Sequence, residues 1–203
     1  MRRMSLLILA LAGLVVLPAL AQTPPATTPV RIRGTVDKLD GNTLTVKSND
    51  GQSLTIKLAD NFTVTALVKK TMADIKSNDF VASTGLKGTD GKLHCVELRI
   101  FPAAVPAIEG QYPWDSMPDS TMTNATVTGI TTEKDGEVLK VTYKGTESEF
   151  IVGPECQVFA NVPGDPSLLK PGAAIFTVAQ KAADGTLTTA RVTAEKDGVK
   201  PPM

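Results

Sequence analysis

In Val30-Arg31-Ile32-Arg33-Gly34-Thr35-Val36-Asp37-Lys38-Leu39-Asp40-Gly41-Asn42-Thr43-Leu44-Thr45-Val46, apolar Val30, Ile32 and Val36 alternate with Arg31, Arg33, Thr35 and Asp37. A period of two puts one set of side chains on each face of a strand, so this stretch predicts a strand with one buried and one wet face. Asp40-Gly41-Asn42 then provides a hairpin turn, because glycine accepts the positive φ that tight turns demand. Leu44 and Val46 resume the alternation, Leu54, Ile56 and Leu58 continue it beyond a second turn at Asp50-Gly51, and Asp90-Gly91 precedes a final strand. Between Lys69 and Asp79, the segment Thr71-Met72-Ala73-Asp74-Ile75-Lys76 predicts a turn or two of helix, ended by Ser77-Asn78.

The pattern recurs. At an offset of 95 residues Gly34 meets Gly129, Asp40-Gly41 meets Asp135-Gly136, Leu44 meets Leu139 and Val46 meets Val141. At 94, Gly51 meets Gly145, Val64 meets Val158, Ala66 meets Ala160, Lys76 meets Lys170, Asp90-Gly91 meets Asp184-Gly185 and Leu93 meets Leu187. Matches that preserve both turn chemistry and inward positions in order indicate a duplicated unit, residues 29–101 and 124–196. Five or six short strands leave exposed edges in an open sheet, and closure removes them. The expectation is an all-β fold of two tandem small antiparallel OB-like β-barrels, each with a short helical turn, joined by a Pro-rich connector at 102–123 and followed by a tail at 197–203.

The N-terminus reads as an export signal. Arg2 and Arg3 precede an uncharged apolar run from Leu6 to Leu17, and Ala19-Leu20-Ala21 offers small residues for cleavage before Gln22. The apolar run is short against the ~20 residues needed to span a bilayer. Residues 1–21 are therefore expected to be removed, leaving a Pro/Thr-rich linker at 22–28 and a periplasmic protein with no membrane span. Arg31-Ile32-Arg33-Gly34-Thr35-Val36, the Asp-Gly turns, Asp74-Ile75-Lys76-Ser77-Asn78-Asp79-Phe80-Val81 and Leu169-Lys170-Pro171-Gly172 resemble exported bacterial proteins built from a small β-barrel domain of unknown function. The resemblance covers residues 29 to about 196 and implies fold and compartment; some similar proteins carry the label metal-transporter permease, which the lack of further apolar spans contradicts.

Charge and chemistry narrow the function. Lys and Arg number 21, as do Asp and Glu, and loss of Arg2 and Arg3 leaves a formal charge of −2. With no basic stripe interleaved with aromatics, nucleic-acid binding is not expected. His94 is the only histidine, which excludes His-rich metal sites, and no serine stands in a nucleophile elbow. No catalytic residues, cofactor or metal site are expected. Strand alternation puts His94 on the inner face with Val96, Leu98 and Ile100, and Cys95 on the outer face, whereas Cys156 shares the inward parity of Val158. Opposite facing argues against a Cys95–Cys156 disulfide.

The connector stands apart, with Pro102, Pro106, Pro113 and Pro118 opposing regular strand pairing and Tyr112, Trp114, Met117 and Met122 as candidate ligand contacts. An indole in such a linker serves first as a packing anchor between barrels. The resulting reading is a non-catalytic binding or interaction module for an unknown periplasmic protein or small ligand, using outer faces or the inter-barrel cleft. The alternative is a soft-metal carrier of the Cu(I) type, with thioether sulfur from Met117 or Met122 beside Trp114, and His94 as an optional further ligand. A hydrolase ranks third.

Overall fold

Twelve strands form one continuous hydrogen-bonded sheet in the computed structural model, which describes residues 27–102, 108–115, 117–134 and 136–201. The expected signal peptide and nearly all of the linker after it lie outside these residues. The first unit comprises β1 (Thr28–Asp40), β2 (Thr43–Ser48), β3 (Ser53–Lys70), a 3-10 turn (Met72–Asp74), β4 (Phe80–Lys87) and β5 (Leu93–Phe101). The short β6 (Gly110–Pro113) follows, and then β7 (Ser120–Glu133), β8 (Gly136–Tyr143), β9 (Thr146–Val152), β10 (Gln157–Pro163), a second 3-10 turn (Pro166–Leu168), β11 (Ala174–Lys181) and β12 (Leu187–Ala194). The chain is all-β. The expected helical turns are present in their shortest form, the first held by the Asp74 carboxylate accepting from the Thr71 N–H at 2.9 Å, the second by Asp165 accepting from Ser167 N–H at 2.8 Å.

β1, β2, β3, β12 and β11 close a five-stranded barrel, with β3 and β12 parallel and all other neighbours antiparallel. β7, β8, β9, β5 and β4 pair in the same cyclic order, with β5 also parallel to β10. Each ring thus takes three strands from one unit and two from the other. The pairings therefore do not reproduce two self-contained barrels in tandem: β4–β5 and β11–β12 have changed places. The cores are mixed accordingly. Ile32, Leu44, Ile56 and Val64 pack with Ile175, Ala179 and Val192, and Val81, Leu98 and Ile75 pack with Val127, Leu139, Phe150 and Val158.

The two rings obey one pseudo-two-fold relation. Val64 pairs Val192 and Ile56 pairs Leu187; 94 positions along, Val158 pairs Leu98 and Phe150 pairs Leu93. β3 and β10 meet antiparallel between the rings, where Leu67 pairs Asn161, its own counterpart. A residue paired with its counterpart marks the axis.

The first strand departs from the sequence alignment. β1 and β7 each carry an irregularity, after Val36 and after Val127, and each of these valines pairs with the valine of the next strand, Val46 or Val141. Val127 lies 91 residues after Val36, so the 95-residue match of Gly34 to Gly129 is four residues out of structural register, and the counterpart of Gly34 is Ala125. The β7–β8 hairpin is longer by those four residues. A Cβ on Gly34 would lie 2.3 Å from the Lys47 carbonyl oxygen, whereas one on Gly129 meets nothing within 4 Å. Gly34→Ala is expected to force β1 from β2 and cost about 2–3 kcal/mol, while Gly129→Ala stays near neutral. Urea midpoints of the two variants check this, and equal effects would refute the register.

Cys95 and Cys156 form a disulfide, with Cα atoms 5.4 Å apart, contrary to the parity reading. The physical reason is a bulge: Thr84 pairs Glu97 but Gly85 pairs Cys95, leaving Val96 as an extra residue in β5. The alternation resets there, so both Cys95 and Leu98 enter the core. His94 accordingly turns outward, where its Nε2 lies 3.0 Å from the exposed Asp90 carboxylate rather than on the inner face. Proline does not bar pairing in the connector either. β6 runs antiparallel to β7 along its free edge, with Pro113 as its last residue opposite Thr121, a position where a missing N–H costs nothing.

Candidate functional site: the cleft between the two strand rings

β12, β3, β10 and β5 lie side by side between the rings. Because Val64, Ala66 and Val158 turn into the cores, the alternate residues Thr65 and Leu67 on β3 and Phe159 and Asn161 on β10 face the opposite way. They floor a cleft whose two halves are unequal. On the second-ring side the row reads Ala82, Arg99, Phe159, all buried. The corresponding row on the first-ring side reads Phe176, Thr193, Thr65. Two threonines stand where the other half has an arginine and a phenylalanine, and a cavity of about 480 Å³ opens there, lined also by Phe101, Asn161, Val178, Gln180 and Arg191.

The polar groups in this cavity are not all satisfied. Thr65 and Thr193 hydroxyls lie 3.0 Å apart, Thr177 and Thr189 hydroxyls 2.9 Å apart, and Thr177 Oγ1 also donates to the Arg191 carbonyl at 2.7 Å. Asn161, 9% exposed, has no partner for its Nδ2 donor. A buried donor without an acceptor costs about 1–3 kcal/mol.

The connector meets this region at Phe176. Trp114 packs edge-on against Phe176 with centroids 6.5 Å apart, and the Arg31 and Arg33 guanidinium carbons lie 4.7 and 5.4 Å from its ring centroid. Asp115 accepts from Arg33 Nη2 at 2.8 Å and lies 3.7 Å from Arg31 Nη1. Burial pushes the Asp115 carboxyl up, but the Arg33 hydrogen bond and the charges of Arg33 and Arg31 together hold it below the usual aspartate value. The Tyr112 hydroxyl accepts from Asn124 Nδ2 at 2.7 Å; burial raises its pKa against that bond and the Arg31 charge.

Of the four residues proposed from sequence, Tyr112 and Trp114 come together, lining a second cavity of about 280 Å³ with Pro29, Arg31, Phe176 and Val178. Phe176 and Val178 belong to both cavities. Met117 and Met122 line neither. Met122 is a buried residue of β7 between Thr84 and Tyr112, and Met117 belongs to the turn whose carbonyl accepts from the Ser120 hydroxyl at 2.6 Å. Among the described residues no group of three or more His, Cys, Asp or Glu is placed to hold a metal ion, and no helix is long and apolar enough to cross a membrane.

Sequence reasoning missed Asn161, Phe176, Thr65 and Thr193. The available signal was disagreement between the repeats: asparagine at the counterpart of Leu67, phenylalanine at that of Ala82, and threonine at that of Arg99. No protein-family model, curated protein or solved structure significantly matches the chain.

Proposed function

We propose that this is an exported, non-catalytic binding module of the periplasm, built as two OB-like barrels that exchange their last two strands and hold a small ligand in the cleft between them. The ring order, in which the first and fourth strands are neighbours and the third and fifth run parallel, supports the OB-like description. The three-part N-terminal pattern supports export. The observation that carries the binding reading is a cavity walled by Phe101, Phe176 and Val178 whose lining includes Asn161, a residue with a buried Nδ2 that has no partner and that a turn of the amide would bring to a ligand. Apolar walls with a few polar groups are what small-molecule sites look like. The ligand is then a compact molecule with an apolar body and a carbonyl or carboxylate oxygen that accepts from Asn161.

Benzoate and benzamide serve as first probes in a series of aromatic and aliphatic acids and amides, read by shifts of the Asn161 side-chain amide resonance. Asn161→Leu copies Leu67 and relieves the buried donor, so it should raise stability by about 1 kcal/mol while abolishing binding. A series that leaves the Asn161 amide unmoved, or binds Asn161→Leu unchanged, rejects the site.

A further inference from the structure

The pseudo-two-fold relation extends to every strand of the rings but leaves one added strand without a counterpart. β6 occupies the edge of β7 at Thr121–Asn124, pairing Gly110 with Asn124 and Pro113 with Thr121. The other edge of the same residues pairs with β4. Their counterparts in the first ring, 91 positions earlier, are Val30–Arg33, which pair with β11 on one edge. β2 takes up the opposite edge only from Gly34 onward. Among the described residues no strand lies along Val30–Arg33 on that side, and a groove of about 450 Å³ runs there, lined by Val30, Ile32, Leu54 and Leu187 among others.

The edge has defined hydrogen-bonding groups. Arg33 accepts from Asn49 N–H at 3.0 Å on that side, so the alternation of a strand also directs the Arg31 N–H and carbonyl to the open edge. At the equivalent place on β7, the Ser120 carbonyl, counterpart of Pro29, accepts from Trp114 N–H at 2.9 Å. An unpaired edge of this kind is a template for strand addition.

We propose that the Val30–Arg33 edge takes an extended peptide segment of another protein, added antiparallel to β1 as β6 is to β7, with acidic and apolar residues alternating. β6 supplies the polarity and the four-residue length. Peptide side chains opposite Ile32 and Val30 fall on the core side, beside Leu54 and Leu187, and are apolar. Those opposite Arg33 and Arg31 fall on the outer side, where two guanidinium groups share the single Asp115 carboxylate, and are acidic. This site is separate from the Asn161 cavity and does not depend on it.

The test uses the mature protein and an acetylated, amidated peptide containing Glu-Val-Glu-Val, titrated by backbone amide resonances. Shifts should centre on Val30–Arg33, and the Arg31 amide, fast to exchange in the free protein, should become protected. N-methylation of the Glu opposite Arg31 removes the donor to that edge and should weaken binding at least tenfold. A Val-Val-Glu-Glu peptide should not bind. Arg31→Glu should lose the Glu peptide and gain Lys-Val-Lys-Val, a reversal that loss of folding would not produce. An Arg31 amide already protected in the free protein, equal binding of the N-methylated or scrambled peptides, no binding at millimolar peptide, or shifts centred elsewhere would each overturn the proposal. Retained binding here with no ligand response at Asn161 would leave this inference standing and remove only the cleft reading.

Discussion

Expressed alone, residues 27–101 are expected to give no folded monomer; they should be recovered as a two-fold dimer or remain unfolded. In the whole chain β1, β2 and β3 close their barrel only with β11 and β12, while β4 and β5 pair with strands of the second unit. β3 runs unbroken from Ser53 to Lys70: it pairs with β12 through Ala66 and with β10 from Thr65 to Lys70. Folding β4–β5 back onto their own β1–β3 would forfeit the β10 ladder. A second copy restores it, and Leu67 then faces Leu67 across the axis instead of Asn161. Light scattering after size exclusion gives the mass, and a folded monomer of residues 27–101 would refute the exchange. Cutting the full chain at an engineered protease site in the connector should, conversely, leave both halves in one folded particle.

The second large effect concerns the Cys95–Cys156 disulfide. It joins β5 of the first unit to the residue just before β10 of the second, across a sequence separation of 61, and so ties an exchanged strand to its host ring. In the chain-entropy account, a loop of that length constrains the unfolded state by about 4 kcal/mol. For a chain of this size that corresponds to a melting temperature lower by roughly 10 °C after reduction. Cys95→Ser with Cys156→Ser should show the same loss in urea, with the fold retained because the surrounding core of Val81, Leu98 and Phe150 remains. A change below about 1 kcal/mol would mean that the unfolded chain already holds these strands together. In the connector-cut protein the two halves should run as one band on a denaturing gel without reductant and as two with it.

Some of this could be read directly from the residues. Strand alternation around Val30–Val36, the Asp-Gly turns and the recurrence of Val64, Ala66 and Leu93 at Val158, Ala160 and Leu187 depend on neighbours within a few residues or on counting along the chain. So did the special character of Tyr112 and Trp114, since an aromatic pair in a Pro-rich connector needs a place to pack. The facing of Cys95 was not legible, because one bulge residue at Val96 resets the alternation and no local signal marks it. Nor was the four-residue slip in the first strand, where Gly34 and Gly129 make an attractive match that the hairpin lengths forbid.

By itself, then, the sequence determined an all-β chain and its turns, since each follows from side-chain periodicity and backbone freedom. Only the tertiary structure decided which unit closes which ring and where the orphaned Asn161 donor would come to lie. Two units with equivalent strand pairings present nearly the same strand edges to their own last two strands and to each other's, so local patterns are degenerate between the two arrangements. What separates them is the unbroken length of β3 and its ladder with β10, a contact between residues 88 to 98 positions apart that exists only once the rings have formed.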